Sequence, residues 1–122
     1  MAKVLVIDDE TVLSRIVRVT LESRGHDVLT ADDGSRGFAS AQRQAPDAII
    51  LDLMMPIMDG FAVLEALQAD ERTRSVPVLV LSAIASEPTE SECYRLGAKA
   101  FMRKPFAADH LVGVLEDVLT AA

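Results

Sequence analysis

Three short stretches of this chain are apolar at nearly every position: "KVLVI" (3–7), "AIILDL" (48–53) and "VPVLVLSA" (76–83). A strand with one wet face alternates apolar and polar residues. A continuous apolar run needs cover on both faces, the condition of a parallel strand between two helix layers. This requirement constrains the fold more than any other feature, and the segments between the runs supply the cover. "ETVLSRIVRVTLESRG" (10–25) reads as a helix with Val12, Ile16 and Val19 on one face, Leu13 and Val17 beside them, and Gly25 suited to its C-terminal cap. "DVLTA" (27–31) is a short strand and "GSRGFASAQRQ" (34–44) a helix around Phe38 and Ala41, stopped before Pro46. "GFAVLEALQAD" (60–70) is a helix through Val63, Leu64 and Leu67. "EPTESECYRLG" (87–97) is a helix with Pro88 in its first turn and a thin apolar stripe of Cys93 and Leu96, with Tyr94 at its edge. "AKAFMRK" (98–104) is a fifth strand, and "FAADHLVGVLEDVLTAA" (106–122) a closing amphipathic helix. Five strands alternating with five helices predict a doubly wound α/β domain with a parallel sheet and right-handed crossovers, spanning residues 1–122.

The polar residues gain meaning on that scaffold. Strand one ends in Asp8 and Asp9, strand three runs into Asp52, strand four ends at Ser82, and Lys104 follows strand five. In an open parallel sheet, ligands bind beyond the carboxyl ends of the strands, near the switch in strand order. Four strands therefore aim acids, a hydroxyl and an ammonium at one edge. Crowded carboxylates repel, and the repulsion favours a proton or a cation. A hard divalent ion such as Mg²⁺ takes oxygen ligands and keeps several waters. A carboxylate can also attack phosphorus to give an aspartyl phosphate, with a metal and a cation on the phosphoryl oxygens. In that chemistry Ser82 donates to one phosphoryl oxygen and Lys104 pairs with another.

Together "LVIDDE", "IILDLMMPIMDG", "VLVLSA" and "GAKAFMRKPF" make the chain resemble a response-regulator receiver domain of two-component signalling, over nearly its whole length. The resemblance implies the flavodoxin-like sheet order 2-1-3-4-5. It implies Asp52 as phosphoacceptor, and Mg²⁺ held directly by Asp9 and Asp52, with Asp8 nearby through water and the Met54 carbonyl as a further ligand. Ser82 matches the switch hydroxyl, Lys104 the family's lysine and Phe101 the switch aromatic, and a cis bond is implied between Lys104 and Pro105. Met54 and Ile84 match two positions beside the approach of a hydrolytic water, and neither is able to orient one. The implied donor is a histidine kinase or phosphotransfer protein. The output is binding to a downstream protein through the face of helix four, strand five and helix five, by a monomer or a weak phosphorylation-dependent dimer.

Taken singly, the groups have plain structural readings. Asp9 and Glu10 suit a helix N-cap. "MDG" (58–60) is a turn before a helix, and Phe101 and Cys93 are core residues, Cys93 small and at least half-buried. His26 and His110 read as surface residues. Two other functions compete. A phosphohydrolase with an aspartyl-phosphate intermediate usually carries an acid two residues after the nucleophile, where this chain has Met54. A receiver that only binds partners would lack an acid or the lysine, and here all are present. A dinucleotide site would need a glycine-rich turn after strand one, and there is none. The expected function is a signalling switch rather than an enzyme.

Charge and composition narrow the setting. Twelve basic residues against nineteen acidic ones give a net charge of −7, which argues against a nucleic-acid surface. The single cysteine cannot form an internal disulfide, the first strand-like run leaves no room for a signal peptide, and no apolar stretch is long enough to span a membrane. A cytoplasmic protein is expected.

Overall fold

The computed structural model describes residues 2–84 and 86–120. The continuous apolar runs form the three inner strands, β1 (Lys3–Ile7), β3 (Ala48–Asp52) and β4 (Val78–Ser82), while the more mixed β2 (Asp27–Ala31) and β5 (Ala100–Arg103) form the edges. The order is β2-β1-β3-β4-β5, all parallel: the parallel sheet is what the apolar runs predict, and the order is the one the resemblance implies. Helices α1 (Thr11–Ser23), α2 (Gly34–Gln44), α3 (Gly60–Ala69), α4 (Glu87–Arg95) and α5 (Ala108–Thr120) connect and cover the strands. β1, β2 and α2 have the expected bounds, while α1, α3, α4, β3, β4, β5 and the start of α5 lie one or two residues inside them, as fraying ends do; residues 121–122 of the expected α5 lie outside the described residues.

The pleat explains why the inner strands are apolar throughout. Leu5, Ile7, Ile49, Leu51 and Val80 point into the core beneath α2, α3 and α4. Their neighbours Val4, Val6, Ile50, Leu79 and Leu81 point into the core beneath α1 and α5. Each strand therefore serves two cores at once. Helix α4 contributes little burial: within Glu87–Arg95 only Cys93 is buried, and that burial pushes its thiol pKa up, away from reactivity.

Two expectations need correction. Helix α1 turns the other way from the expected face: Ser14, Val17 and Leu21 are buried, whereas Val12, Ile16 and Val19 are 73%, 50% and 60% exposed. Both stripes repeat at helical spacing, so periodicity could not choose between them. The short Asp8–Glu10 connection sets the phase. The Ser14 N–H donates to the Glu10 carbonyl at 3.0 Å, and the Ser14 hydroxyl lies 3.5 Å from the Asp8 carbonyl. The second correction is His26, whose side chain is only 8% exposed. Its Nδ1 accepts from the Ala2 N–H at 3.2 Å, and its Nε2 lies 3.4 Å from a Glu116 oxygen. A ring held between the first residues and α5 is a packing element, not a surface one. His110 is exposed, as expected.

Candidate functional site

The switch in strand order lies between β1 and β3, because β1 connects to β2 on one side and pairs with β3 on the other. The carboxyl ends of those two strands deliver Asp8 and Asp52, each 2% exposed. Short turns hold both carboxylates. Asp8 Oδ1 accepts from the Glu10 N–H at 2.8 Å, and Asp52 Oδ1 accepts from the Met54 N–H at 3.2 Å. Behind Asp52, the Gly60 N–H donates to the Leu53 carbonyl at 2.8 Å, and a Cβ on Gly60 would come within 2.5 Å of Leu53 Cα. Glycine is required there for α3 to start so close to β3. Asp59 caps that helix through the Ala62 N–H at 3.0 Å, so "MDG" does the structural work its sequence suggested.

Lys104 arrives from the far edge. Its N–H donates to the Ser82 carbonyl at 2.8 Å, and the Lys104–Pro105 bond is cis. The ammonium lies 3.4 Å from Asp8 Oδ2, 3.4 Å from Asp52 Oδ1 and 2.7 Å from Glu10 Oε1. One cation thus faces three acids. Burial, and then the neighbouring Asp8 charge, raise the Asp52 pKa to about 7, against the opposing pull of Lys104. Burial works against the Lys104 ammonium, but the Glu10 hydrogen bond and the charges of Asp8 and Asp52 outweigh it and hold its pKa above the ordinary value.

Oxygens of Asp8, Glu10 and Asp52 lie within 4.8 Å of one another, a donor set suited to a hard cation. Among the described residues this set has one cation against three carboxylates, so the charge balance itself favours a metal. Glu10 is the member that sequence reasoning assigned to capping. It occupies the N-cap position of α1 but its side chain caps nothing and reaches Lys104 instead. The signal was present in the run of three acids, but adjacency alone cannot say which of them turns inward. Both Asp9 and Glu10 are exposed, but only the Glu10 carboxylate joins the set, and Asp9 stands outside it.

The remaining predicted residues lie around the carboxyl edge of the sheet or, in the case of Phe101, against the core. Ser82 is fully buried, and its hydroxyl accepts from the Ile84 N–H at 3.0 Å. Met54 and Ile84 are 52% and 45% exposed on the rim. Phe101 is half-buried against the core beneath α2, α3 and α4. Ile57, which no sequence argument singled out, is fully exposed with a φ of 69°, a left-handed conformation that a β-branched side chain rarely adopts.

Known proteins share this sequence pattern and fold. The family model described as the response regulator receiver domain matches residues 4–116. The transcriptional regulator RpaA of Synechocystis is 39% identical over 119 residues, which is 98% of this chain and 49% of RpaA, so the chain spans about half the length of that relative. The chemotaxis protein CheY4 of Vibrio cholerae superposes with a TM-score of 0.92 at 36% identity, over 97% of this chain and 98% of CheY4. The receiver domain of the sensor kinase PA1611 of Pseudomonas aeruginosa, solved with magnesium coordinated in its active-site cleft, superposes with a TM-score of 0.89 at 29% identity, over 98% of each chain.

Proposed function

The chain belongs to the response regulator receiver family of two-component signalling, and from that premise we propose that it is a switch phosphorylated on Asp52. The observation that carries this reading is the buried pairing of Lys104 with Asp8 and Asp52, each at 3.4 Å, at the carboxyl edge of the sheet. The donor is a histidine kinase or phosphotransfer protein. An Asp52 oxygen bonds to phosphorus as the bond to the donor's imidazole nitrogen breaks, and the imidazole takes a proton from solvent. Lys104 then pairs with a phosphoryl oxygen.

The acid cluster of Asp8, Glu10 and Asp52 fits a hard cation; on the family resemblance, Asp9, Asp52 and the Met54 carbonyl would hold Mg²⁺, with Asp8 acting through water. Mg²⁺ when bound would screen the carboxylates and the phosphoryl oxygens from one another. Asp9 lies beside the cluster and is available to it. The donor would dock beside these acids, and the exposed Val12, Ile16 and Val19 stripe begins there. That stripe gives a reason for α1 to keep apolar side chains in water.

The phosphoryl group draws the Ser82 hydroxyl away from the Ile84 N–H, and the loop after β4 follows. The move opens space for Phe101 to turn inward and reshapes the face of α4, β5 and α5 for a downstream protein, as a population shift between two states. Residues 1–122 act as one receiver unit in the cytoplasm. It promotes its own phosphorylation and dephosphorylation but turns over no separate substrate.

The test is labelling by acetyl phosphate with Mg²⁺ present. Asp52→Asn should abolish it, and undiminished Mg²⁺-dependent labelling of the variant would overturn the assignment.

A further inference from the structure

The chain is acidic, yet four of its nine arginines line one groove of about 740 Å³, a size typical of small-ligand sites. Arg15 and Arg18 come from α1, and Arg36 and Arg43 from α2, on either side of edge strand β2. Among the described residues, Arg15 and Arg43 take part in no ion pair. Arg18 pairs with Glu22 at 3.3 Å, and Arg36 lies 3.5 Å from both Asp32 and Asp33. These pairs are exposed, so they contribute little and yield readily to a competing anion.

The rest of the lining is small residues and two acids: Asp8, which is buried, and Asp32, which already pairs with Arg36 at 3.5 Å. Thr11, Thr30 and Ser40 offer hydroxyls. Ser14 is 93% buried on its α1 face, and its hydroxyl makes only a 3.5 Å contact with the Asp8 carbonyl. No aromatic side chain borders the groove, so nothing there would stack on a base. Guanidinium forks match phosphate oxygens two at a time, and forks on both walls suit more than one phosphate.

We propose that the groove between α1 and α2 binds a small polyanion carrying two or more phosphate groups, held by Arg15, Arg18, Arg36 and Arg43. The groove borders the acid cluster through Asp8, but the proposal does not depend on phosphoryl transfer to Asp52. Its ligand is either an inorganic oligophosphate or the phosphate chain of a nucleotide.

The test is titration with inorganic triphosphate and, separately, with ATP. EDTA is present so that no metal can draw phosphate into the acid cluster. Backbone amide NMR and calorimetry provide the readout. Saturable binding with a Kd below about 1 mM is expected, with shifts over residues 11–19 and 30–43. The double variant Arg15→Gln, Arg43→Gln should keep the spectrum of the folded chain and weaken binding at least about tenfold. Equal affinity for the two ligands would mean that the phosphate chain alone is read. Tighter ATP binding would identify a nucleotide as the source. Shifts centred on Ser82 and Lys104, an unchanged affinity in the double variant, or no binding at millimolar ligand would each overturn the proposal. So would a poly-glutamate peptide that binds more tightly than triphosphate, because the groove would then be a dock for acidic protein segments.

Discussion

Two aspartates of this chain sit in opposite electrostatic circumstances. Asp70, after α3, accepts from Gln42 Nε2 at 2.6 Å, from the Arg72 N–H at 2.8 Å and from Arg72 Nη2 at 3.0 Å. The Arg72 side chain holds its carboxyl well below the usual range, with Gln42 adding to the effect. Asp52 has one backbone donor at 3.2 Å and shares a single ammonium with Asp8 and Glu10. Burial pushes its pKa to about 7. Asp70 is a satisfied acid that ties α2 to the segment after α3. Asp52 is left short of positive charge at a buried position, the deficit that the proposed metal and phosphoryl group would use. Satisfaction marks a structural acid, and an uncompensated buried charge marks a functional one.

The contrast can be broken most decisively with the metal. Mg²⁺ should raise the Tm of the wild type, and Asp9→Asn should lose that increase entirely while Asp70→Asn keeps it. Because Asp9 is exposed, its replacement should change metal-free stability by less than about 0.5 kcal/mol. Normal Mg²⁺ affinity in Asp9→Asn would remove it from the ligand set and point to Glu10 in its place.

The next effect is in pH. An Asp52 pKa of about 7, against 3.8 for an ordinary aspartate, means that the folded chain keeps a proton the unfolded chain has released. Stability of the metal-free protein should therefore fall as pH rises between those two values. Urea denaturation at pH 5 and pH 8 checks this, and Asp52→Asn should flatten the difference. Asp70 has the opposite sign. Its contribution is present above the ordinary carboxylate range and is lost as pH falls through that range and below it. A wild type whose stability rises from pH 5 to pH 8 in EDTA would contradict the strained state of Asp52.

A smaller change should follow at the rim of the acid site. Met54 and Ile84 cannot hold a water in line and are bulky enough to shield phosphorus. Met54→Asn with Ile84→Glu should speed dephosphorylation about tenfold, roughly 1.4 kcal/mol in barrier. Decay of purified phosphoprotein with Mg²⁺, after the donor is removed, measures it. Equal decay rates would show that shielding does not set the lifetime.

The smallest effect belongs to the satisfied acid. Arg72→Ala should leave labelling by acetyl phosphate and its Mg²⁺ dependence unchanged. A clear loss of labelling would mean that the Asp70 cluster communicates with Asp52, and the two regions would no longer be independent.

The amino-acid sequence by itself determined the sheet and the edge that carries the chemistry. The apolar runs of β1, β3 and β4 called for cover on both faces, and the strand order followed from the family resemblance. Asp8, Asp52, Ser82 and Lys104 stand at or just beyond strand ends, where position along the chain translates directly into position on the sheet. What only the tertiary structure decided depends on contacts between distant segments. Two apolar stripes of α1 have equal helical periodicity, and the turn after β1 chose Ser14, Val17 and Leu21 for the core, leaving Val12, Ile16 and Val19 in water. Among three consecutive acids, Glu10 rather than Asp9 faces Lys104, whose ammonium arrives from 94 residues away. The arginine groove likewise exists only once α1 and α2 stand on either side of β2. Periodicity is local and can be read along the chain, whereas helix phase and the meeting of charges are set by packing, which has no local signature.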